Sequence, residues 1–439
     1  MPTRPNILFI CTDQQTASAM SCAGNPHLHT PAMDSLAEQG VRFTHARCAQ
    51  PLCNPARASF FTGRYPHDAG ATGNNERVRE ELIPHSLGRV MGEAGYACGY
   101  AGKWHVPYGK PDPEFGFESL VGMIDPQVAS AVGGFWDRCE KEQPDQPRFA
   151  VASFDNPHNI CEWARRQPLP WGEVPEPHGV RNCPPLPANH MGLAREPIAF
   201  ASEKVSSPAI YPTEGWTTEL WRRYRYAYFR LCEKVDAEIA KILQDLRDRG
   251  ELDNTLIVFT SDHGDGIGEH RWNQKTCLYE AAARVPLIVR PPNGVEPTAS
   301  ASLVNNSIDL MPTILDYAGV EAPEGLAGRS LRPVVEGGEG VDAGPENVFL
   351  QTRFWSQHTH GTLGRAVVGR RWKYIVYQWG AHREQLFDLE NDPGEMVNLA
   401  DFHGTRDVLA ERRRTLKAWA EQHDDPFARF IPSPDVPTA

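Results

Sequence analysis

The sequence predicts an α/β protein with a doubly wound, mainly parallel sheet and a small C-terminal α+β subdomain. Two observations predict the sheet. Short apolar runs, typical of strands buried on both faces, recur through residues 6–319, and helical patterns separate them. A third observation predicts the subdomain: a stretch rich in glycine and acidic residues, 321–346, precedes shorter runs that alternate apolar and polar positions.

The first part of the chain supplies two strands and two helices. Residues 6–11 are a continuous apolar run, and residues 97–101 are a second, shorter one. Thr30-Pro31 opens a helix that ends at Gly40, because threonine caps helices and proline fits their first position. Residues 86–95 form the next helix, with its apolar side chains on one face.

The middle of the chain continues the alternation. Residues 149–154 and 255–260 read as buried strands. Residues 221–249 are the strongest helix, because apolar side chains keep a 3.6-residue spacing. Residues 160–215 are rich in proline and tryptophan and lack a clear period, so we expect an irregular insertion beside the pocket. A further strand and helix are expected over residues 286–289 and 309–319.

After the linker, the pattern becomes that of half-buried strands. These strands are expected over residues 348–353, 366–368, 372–377 and 386–389. A helix over residues 406–422 closes the chain. We therefore expect a catalytic α/β domain over residues 1–340 and a subdomain over residues 345–439.

Composition and charge exclude several classes of function. The chain has 439 residues and a formal net charge of −12, which argues against general affinity for nucleic acid or anionic membranes. Ten scattered cysteines without a paired spacing indicate reduced thiols and a cytoplasmic protein. No signal peptide is recognisable, but removal of one would leave a periplasmic or secreted protein. The sequence does not indicate an oligomeric state.

Polar residues follow the apolar strands at four places. They are Asp13-Gln14, Lys103-x-His105, His158 and Asp262-His263. The carboxyl ends of parallel strands are where open α/β sheets bind ligands, so we expect these groups to meet at one site. The oxygen atoms of Asp13, Gln14 and Asp262 suit Ca²⁺ or Mg²⁺. Taken singly, each group also has a structural interpretation as a turn, a cap or a solvated side chain.

One stretch carries a family resemblance. Cys53-x-Pro55-x-Arg57, followed by Thr62-Gly63, reads as a turn leading into a short helix with the thiol at its N-terminus, where exposed amides attract anions. This pattern resembles the signature of the type I, formylglycine-dependent sulfatases of the alkaline-phosphatase-like superfamily. The resemblance spans about residues 6–292, and residues 386–399 resemble the family's C-terminal ending. Ala56 replaces the serine that is common in the family, and we still expect conversion.

The resemblance implies a role for each group. Cys53 is oxidised by a maturation enzyme to formylglycine, whose hydrated aldehyde is the nucleophile and which also contacts the metal. One divalent metal, with Ca²⁺ as the first candidate and Mg²⁺ or Mn²⁺ as alternatives, binds at one set of ligands that includes position 53. They are Asp13, Gln14, Cys53, Asp262 and His263.

The catalytic roles follow the same resemblance. Lys103 and Lys275 hold sulfate oxygens, and Arg57 stabilises the charged nucleophile. Asp262 activates the attack on sulfur. His158 protonates the leaving alcohol, and His105 takes the proton that allows sulfate to depart.

The implied function is a sulfuric-ester hydrolase acting on a small sulfated carbohydrate. Two alternatives stay open: a phosphonate or phosphate diester hydrolase of the same superfamily, and a non-enzymatic binder of sulfated glycans. Gln14 and His263 resemble the variant found in bacterial sulfatases and in the related phosphonate monoester hydrolases, but the latter enzymes usually lack the Lys103-x-His105 pair. Candidate substrate contacts are His67, Asn74, Asn75, Arg77, Arg353, His358 and His360. Trp136, Trp163 and Trp171 suit either stacking on a sugar or buried packing.

Overall fold

The described part of the protein contains an eight-stranded sheet covered by helices on both faces and a separate four-stranded sheet. The computed structural model describes residues 4–106, 111, 113–206, 213, 215–337, 344–354 and 359–436. The strands of the large sheet are β1 (Asn6–Asp13), β2 (Val41–Arg47), β3 (Ala97–Gly102), β4 (Glu118–Val121), β5 (Arg148–Pro157), β6 (Thr255–Ser261), β7 (Leu287–Arg290) and β8 (Thr298–Asn305).

The large sheet has the order β4-β3-β5-β1-β6-β7-β2-β8. Every neighbouring pair is parallel except the two pairs that involve β7, which runs against both β6 and β2. The mainly parallel sheet is therefore confirmed. Strands β1, β5 and β6 lie at its centre and are buried along their whole length, as their continuous apolar runs predict.

The small sheet is antiparallel throughout, in the order β12-β11-β10-β9. Its strands are β9 (Val348–Arg353), β10 (Leu363–Val368), β11 (Trp372–Tyr377) and β12 (Glu384–Asp388). It follows the large sheet in sequence, as expected. The domain bounds of 1–340 and 345–439 stay a prediction.

The helices range from single turns to a helix of 31 residues. They are α1 (Pro31–Ala37), α2 (Cys53–Thr62), α3 (Pro66–Ala69), α4 (Leu87–Glu93), α5 (Asp125–Glu142), α6 (Ile160–Ala164), α7 (Ile198–Ser206), α8 (Thr218–Asp248), α9 (Glu280–Ala283), α10 (Asn306–Ala318), α11 (Arg332–Val335) and α12 (Arg406–Gln422).

Two apolar layers enclose the large sheet. Helices α5 and α8 bury Trp136 and Ile239 with one face of the central strands. Helices α2 and α10 bury Phe60 and Met311 with the other face. Burial on both sides leaves only the strand ends open to polar groups, which positions the site. In the part of the chain that the structure describes, no helix combines the length and the apolar character needed to cross a bilayer.

The structure also corrects the element assignment. Strands β2, β4 and β8 and helix α5 were not predicted; α5 nonetheless carries apolar residues at helical spacing, including Val128, Val132 and Phe135. The segment 160–215 is not irregular throughout, because it contains α6 and α7. Phe200 of α7 packs against Phe354, beside the small sheet, and this distant partner stabilises a helix that has no local signal.

Candidate active site

Four neighbouring strands end at the same edge of the large sheet. In the register of the sheet, Thr12 lies opposite Ser261, Asp13 opposite Pro157, and Gly102 opposite Ser153. The next residues along the chain are Asp262, His158 and Lys103, so the polar groups that follow each strand meet. The expected convergence of the strand-end clusters is thus present in the structure.

Cys53 is the first residue of α2 and is completely buried. Its Sγ atom lies 3.2 Å from Nε2 of His263, 3.1 Å from Nζ of Lys275 and 3.7 Å from Oδ1 of Asp13. Burial and Asp13 oppose ionisation of the thiol. Lys275, His263 and a hydrogen bond from His105 outweigh them and hold the pKa of Cys53 well below its ordinary value. Position 53 is therefore an electropositive site at a helix N-terminus.

The side chains of four residues form a compact group of metal-ligating atoms. One ligand atom from each of Asp13, Cys53, Asp262 and His263 lies within 4.8 Å of the others. Nδ1 of His263 is 2.9 Å from the carbonyl oxygen of Gly264, which can only accept, so Nδ1 carries a proton and Nε2 is the ring nitrogen that faces the group. The donors are buried, and the two carboxylates among them supply the hard oxygen atoms that fit a divalent cation.

Gln14 lies beside this group in a fixed orientation. Its Nε2 atom donates to Oδ2 of Asp265 at 2.7 Å, and its Oε1 atom accepts from Nζ of Lys275 at 3.0 Å. Asp265 also accepts from the hydroxyl of Tyr224 at 2.9 Å and from the backbone amide of Ile267 at 2.7 Å. The amide oxygen of Gln14 is thereby directed towards Lys275, whose Nζ atom also lies 3.1 Å from Sγ of Cys53.

Sequence reasoning missed the role of Asp265 and Tyr224. Asp265 stands three residues after Asp262, in the same strand-end cluster, and this proximity was the available signal. Tyr224 lies in the middle of α8, where its aromatic ring reads as an ordinary buried position, and nothing in the sequence links it to Gln14.

Arg57 forms ion pairs with both aspartates of the metal-ligating group, Asp13 and Asp262. Its Nε atom is 2.8 Å from Oδ2 of Asp262, and its Nη2 atom is 3.3 Å from Oδ2 of Asp13. Its Nη1 atom donates to Oγ of Ser153 and to the carbonyl oxygen of Lys103, both at 2.8 Å. Arg57 lies one turn after Cys53 in α2, and its guanidinium orients the carboxylates of Asp13 and Asp262 through these contacts.

Lys103 bridges two carboxylates. Its Nζ atom is 2.8 Å from Oδ2 of Asp13 and 2.7 Å from Oδ1 of Asp155. Burial opposes the charge, but Asp13 and Asp155 raise the pKa of Lys103, so it remains a cation. The backbone that follows Lys103 leaves the extended conformation at His105, which has a φ of 48°. The left-handed turn still brings its ring to Cys53.

His158 lies in the loop that follows β5. Burial, Lys103 and Lys275 hold the pKa of His158 well below its ordinary value, so the imidazole is neutral in the free protein. Asp125 holds the end of β5 that leads into this loop, because its carboxylate accepts from the backbone amides of Asp155 and Asn156 at 2.7 and 2.9 Å. An anionic group that binds beside His158 favours its protonated form.

The two aspartates of the group differ in proton affinity. Burial and the neighbouring charge of Asp13 raise the pKa of Asp262 to about 6. Burial opposes the charge on Asp13 as well, but Lys103, His158 and Lys275 hold its pKa well below the ordinary value. In the metal-free protein Asp262 is therefore the carboxylate that more readily holds a proton.

The candidate substrate residues divide into two groups. Asn74 accepts from the backbone amide of Asn54 at 3.2 Å, directly after Cys53, and Asn75 is exposed beside it. Arg353 pairs with Glu76 in the same loop. These residues border α2.

The remaining candidates lie elsewhere. Nε2 of His67 is 2.9 Å from the carbonyl oxygen of His423, and its ring packs against Trp419, so it belongs to the contact with α12. Arg77 pairs with Glu80 and Glu114 at the surface. His360 is exposed, and His358 lies outside the described residues.

The three tryptophans also differ. Trp136 is 1% exposed and packs against Phe135 in the core, so the packing interpretation holds for it. Trp163 contacts Tyr224 and Trp216 and is partly buried. Trp171 is partly exposed, and its carbonyl accepts from Lys234.

Comparison with known proteins agrees with this geometry. A family model described as "Sulfatase" matches residues 5–320, which is more than half of the chain. The chain belongs to the sulfatase family. A second model, described as "N-sulphoglucosamine sulphohydrolase, C-terminal", matches residues 268–422 of this sulfatase. The resemblance drawn from the Cys53 signature is confirmed.

Individual relatives extend the comparison. The sulfatase is 28% identical to a Delta 4,5-hexuronate-2-O-sulfatase of Bacteroides thetaiotaomicron, covering 97% of this chain and 90% of the relative. It superposes with a TM-score of 0.82 on the structure of a 2-O GAG sulfatase, at 26% identity over 97% and 94% of the two chains. A phosphonate monoester hydrolase of Agrobacterium radiobacter shares the fold, with a TM-score of 0.78 at 23% identity over 96% of each chain.

Proposed function

We propose that this member of the sulfatase family removes sulfate from a small sulfated carbohydrate. The observation that carries the proposal is the position of Cys53. It is the first residue of α2, its Sγ atom lies 3.1 Å from the ammonium group of Lys275, and it shares its surroundings with the metal-ligating group. A nucleophile at position 53 would face an anion between cations and helix amides.

The residues of the group would hold one divalent metal. Asp13, Gln14, Asp262 and His263 supply oxygen and imidazole ligands, together with the group at position 53. Three of the four are oxygen donors, which favours Ca²⁺ over the softer alternatives, with Mg²⁺ or Mn²⁺ as other candidates. The bound metal would neutralise sulfate charge, and formylglycine at position 53 would provide the attacking hydroxyl.

The remaining side chains would bind the sulfate and move protons. Lys103 and Lys275 hold two sulfate oxygens, and Asp262 accepts the proton of the attacking hydroxyl. His158 gives a proton to the leaving alcohol, since a bound anion favours its charged form. His105 then takes a proton at position 53, which releases sulfate.

The proposal that the substrate is a carbohydrate is supported by the polar residues that border α2 and by the relatives. Asn74, Asn75 and Arg353 border α2 with polar and cationic groups, which suit hydroxyl-rich and acidic sugars. The relative and the solved structure reported above are, by their names, a hexuronate-2-O-sulfatase and a 2-O GAG sulfatase. A maturation enzyme would be the second partner, because the nucleophile requires oxidation of Cys53.

The test is turnover by protein produced with and without a formylglycine-generating enzyme. Intact mass reports the conversion of Cys53, and a panel of sulfated mono- and oligosaccharides reports activity. We expect metal-dependent sulfate release only from converted protein. Converted, metal-loaded protein that binds the sugars without releasing sulfate would overturn the proposal in favour of a glycan-binding protein.

A second assay separates the sulfatase from the phosphonate hydrolase. The two activities are compared on nitrophenyl sulfate and a nitrophenyl phosphonate with the same preparation. We expect the sulfate ester to have the higher kcat/KM, because both Lys103 and His105 lie in the site. A higher kcat/KM for the phosphonate would reverse the assignment.

A further inference from the structure

Asp155 is a buried carboxylate at the end of β5, three residues before His158. Its Oδ1 atom lies 2.7 Å from Nζ of Lys103 and 3.8 Å from Nδ1 of His158. The metal-ligating group is formed by other residues. One oxygen of Asp155 therefore faces both the lysine that would hold sulfate and the histidine that would give a proton to the leaving alcohol.

The carboxylate of Asp155 is held in place on both sides. The backbone amide of Asp155 donates to Oδ1 of Asp125 at 2.7 Å, and its Oδ2 atom accepts from Nδ2 of Asn159 at 2.6 Å. Among the described residues, the side chain of Asn159 bonds to Asp155 and does not cap α6, the helix that it precedes. Oδ1 is thus directed at Lys103 and His158 before any substrate binds.

The ammonium group of Lys103 has three N–H bonds. Asp13 and Asp155 accept two of them, at 2.8 and 2.7 Å, which leaves the third for a sulfate oxygen. Asp13 belongs to the metal-ligating group, so a bound cation would share its carboxylate and weaken its attraction for the lysine. Asp155 would then be the main counter-charge of Lys103. Without Asp155, the ammonium group would be drawn towards Asp13 and away from the sulfate.

The imidazole of His158 turns its Nδ1 atom towards Asp155. A carboxylate can only accept, so a charged ring presents Nδ1–H to Asp155 and keeps Nε2–H for another acceptor. The leaving oxygen of the substrate is such an acceptor. The negative charge of Asp155 also favours the protonated ring that a general acid needs.

We propose that Asp155 is a positioning residue, which anchors Lys103 for the sulfate group and orients His158 so that Nε2 faces the leaving oxygen. This inference rests on the proposed sulfatase function, because it concerns the groups that would bind sulfate and move the proton. Asp155 acts through two other side chains. Its loss should therefore change both the affinity for sulfate and the dependence of the rate on the leaving group.

The first experiment measures sulfate affinity without turnover. Asp155→Asn is introduced into Cys53→Ala, which cannot be converted, and sulfate is titrated calorimetrically into the Ca²⁺-saturated protein. We expect a dissociation constant about tenfold weaker than that of Cys53→Ala alone, because a charge-assisted contact is lost. An unchanged or tighter dissociation constant overturns the anchoring of Lys103.

The matched control for both experiments is Asp425→Asn. Asp425 is also a buried carboxylate, and it pairs with a buried cation, Arg365 of β10, at 2.6 Å in the small sheet. Its replacement leaves an unpaired buried cation, as Asp155→Asn does, and so reports the purely structural cost. We expect Asp425→Asn to change neither sulfate affinity nor the leaving-group dependence.

The second experiment compares two leaving groups in converted, metal-loaded protein. Nitrophenolate departs with little protonation, whereas a sugar alkoxide needs a proton from the acid. Asp155→Asn should lower kcat/KM by about 10²-fold for a sulfated monosaccharide and by about tenfold for nitrophenyl sulfate. A purely structural role would lower both values equally, so equal losses overturn the orientation of His158.

Asn159→Ala keeps the proposal testable if Asp155→Asn does not fold. It retains the charge of Asp155 but releases Oδ2, and it should produce both effects at smaller size. If the variants at positions 155 and 159 match Asp425→Asn in both measurements, the proposal is overturned. Converted parent protein that hydrolyses no sulfate ester would contradict the proposed function instead. The calorimetric result in Cys53→Ala would still decide the role of Asp155 towards Lys103, because it requires no turnover.

Discussion

Gln14 donates from Nε2 to Oδ2 of Asp265 at 2.7 Å, and this single bond decides which atom of the amide faces the metal-ligating group. A carboxylate can only accept, so it holds the NH₂ side and leaves Oε1 towards Lys275. Asp265 therefore acts on the candidate metal site without belonging to it.

Asp265→Ala is expected to weaken metal binding by about ten- to hundredfold, since groups that hydrogen-bond to metal ligands typically contribute that much. The amide of Gln14 would lose the acceptor that orients it. Calorimetric titration of Ca²⁺ into the metal-free variant gives the dissociation constant independently of activity. Tyr224→Phe is the matched control, because it removes one donor to Asp265 but leaves Gln14 its partner. Equal affinities in Asp265→Ala and the unaltered protein would show that the bond does not position a ligand.

Lys275→Ala should lower kcat/KM for a sulfate ester by about 10²–10³-fold, the loss typical of removing one charged contact to the developing negative charge. Steady-state kinetics with converted, metal-loaded protein provides the number. Lys241→Ala serves as control, because Lys241 lies on α8 with 59% of its side chain exposed. A change of less than about threefold in Lys275→Ala would remove this lysine from the site.

Cys53→Ser tests how the reaction ends. A serine hydroxyl has no second oxygen from which a proton can be taken to expel sulfate, so the variant should release about one equivalent of alcohol and then stop. The covalently bound sulfate is seen by mass spectrometry of the peptide that contains position 53. Cys53→Ala should release no alcohol. Rapid, repeated turnover by Cys53→Ser would contradict the proposed mechanism.

In the unconverted, metal-free protein the thiol of Cys53 should ionise at a lower pH than an ordinary cysteine. The pKa of Cys53 is depressed below its ordinary value of 9.0, so the thiolate persists as the pH falls and is lost only when the pH passes the folded-state pKa. Burial raises the pKa of Cys11 and Cys48, which stay protonated. In a pH titration, the thiolate ultraviolet absorbance that develops at the lowest pH should therefore disappear in Cys53→Ala. The same absorbance in both proteins would contradict the depressed pKa.

Trp136→Ala should lower the free energy of unfolding by about 3–5 kcal/mol, because it empties a buried aromatic position between α5 and the sheet. Chemical denaturation measures the change. Trp379, which is 38% exposed, is the control, and its replacement should cost less than about 1 kcal/mol. At temperatures where the variant is folded, KM for a sulfated sugar should be unchanged. A selective rise in KM would instead place Trp136 against the substrate.

The parts of the site that could be predicted are those determined by strand ends. Asp13, Lys103, His158 and Asp262 each follow a buried apolar strand, and parallel strands in one sheet bring such positions together. Lys275, which follows no strand, was found through the family resemblance alone. The sequence pattern thus indicates which groups converge, although not which of their atoms meet.

The parts that could not be predicted depend on partners far away in the chain. The bond between Gln14 and Asp265 joins residues 251 positions apart, and no periodicity reports it. His67 closely follows the Cys53 signature in sequence, yet its ring is bound by the carbonyl of His423. Its position in the sequence therefore did not indicate which part of the protein its side chain contacts. Strand β2 alternates apolar and polar residues over a short span, a signal that is weak beside the long apolar runs.

The burial of Cys53 has a consequence for how the protein is made. All ten residues of α2 are buried, and Cys53, the first of them, has no exposed surface. An enzyme that oxidises this side chain needs the backbone around it within its own active site, and the finished fold denies that access. Oxidation would therefore precede closure of the large sheet, during or soon after synthesis, and metal binding would follow it. The rate at which the nascent chain folds would then limit the fraction of molecules that become active.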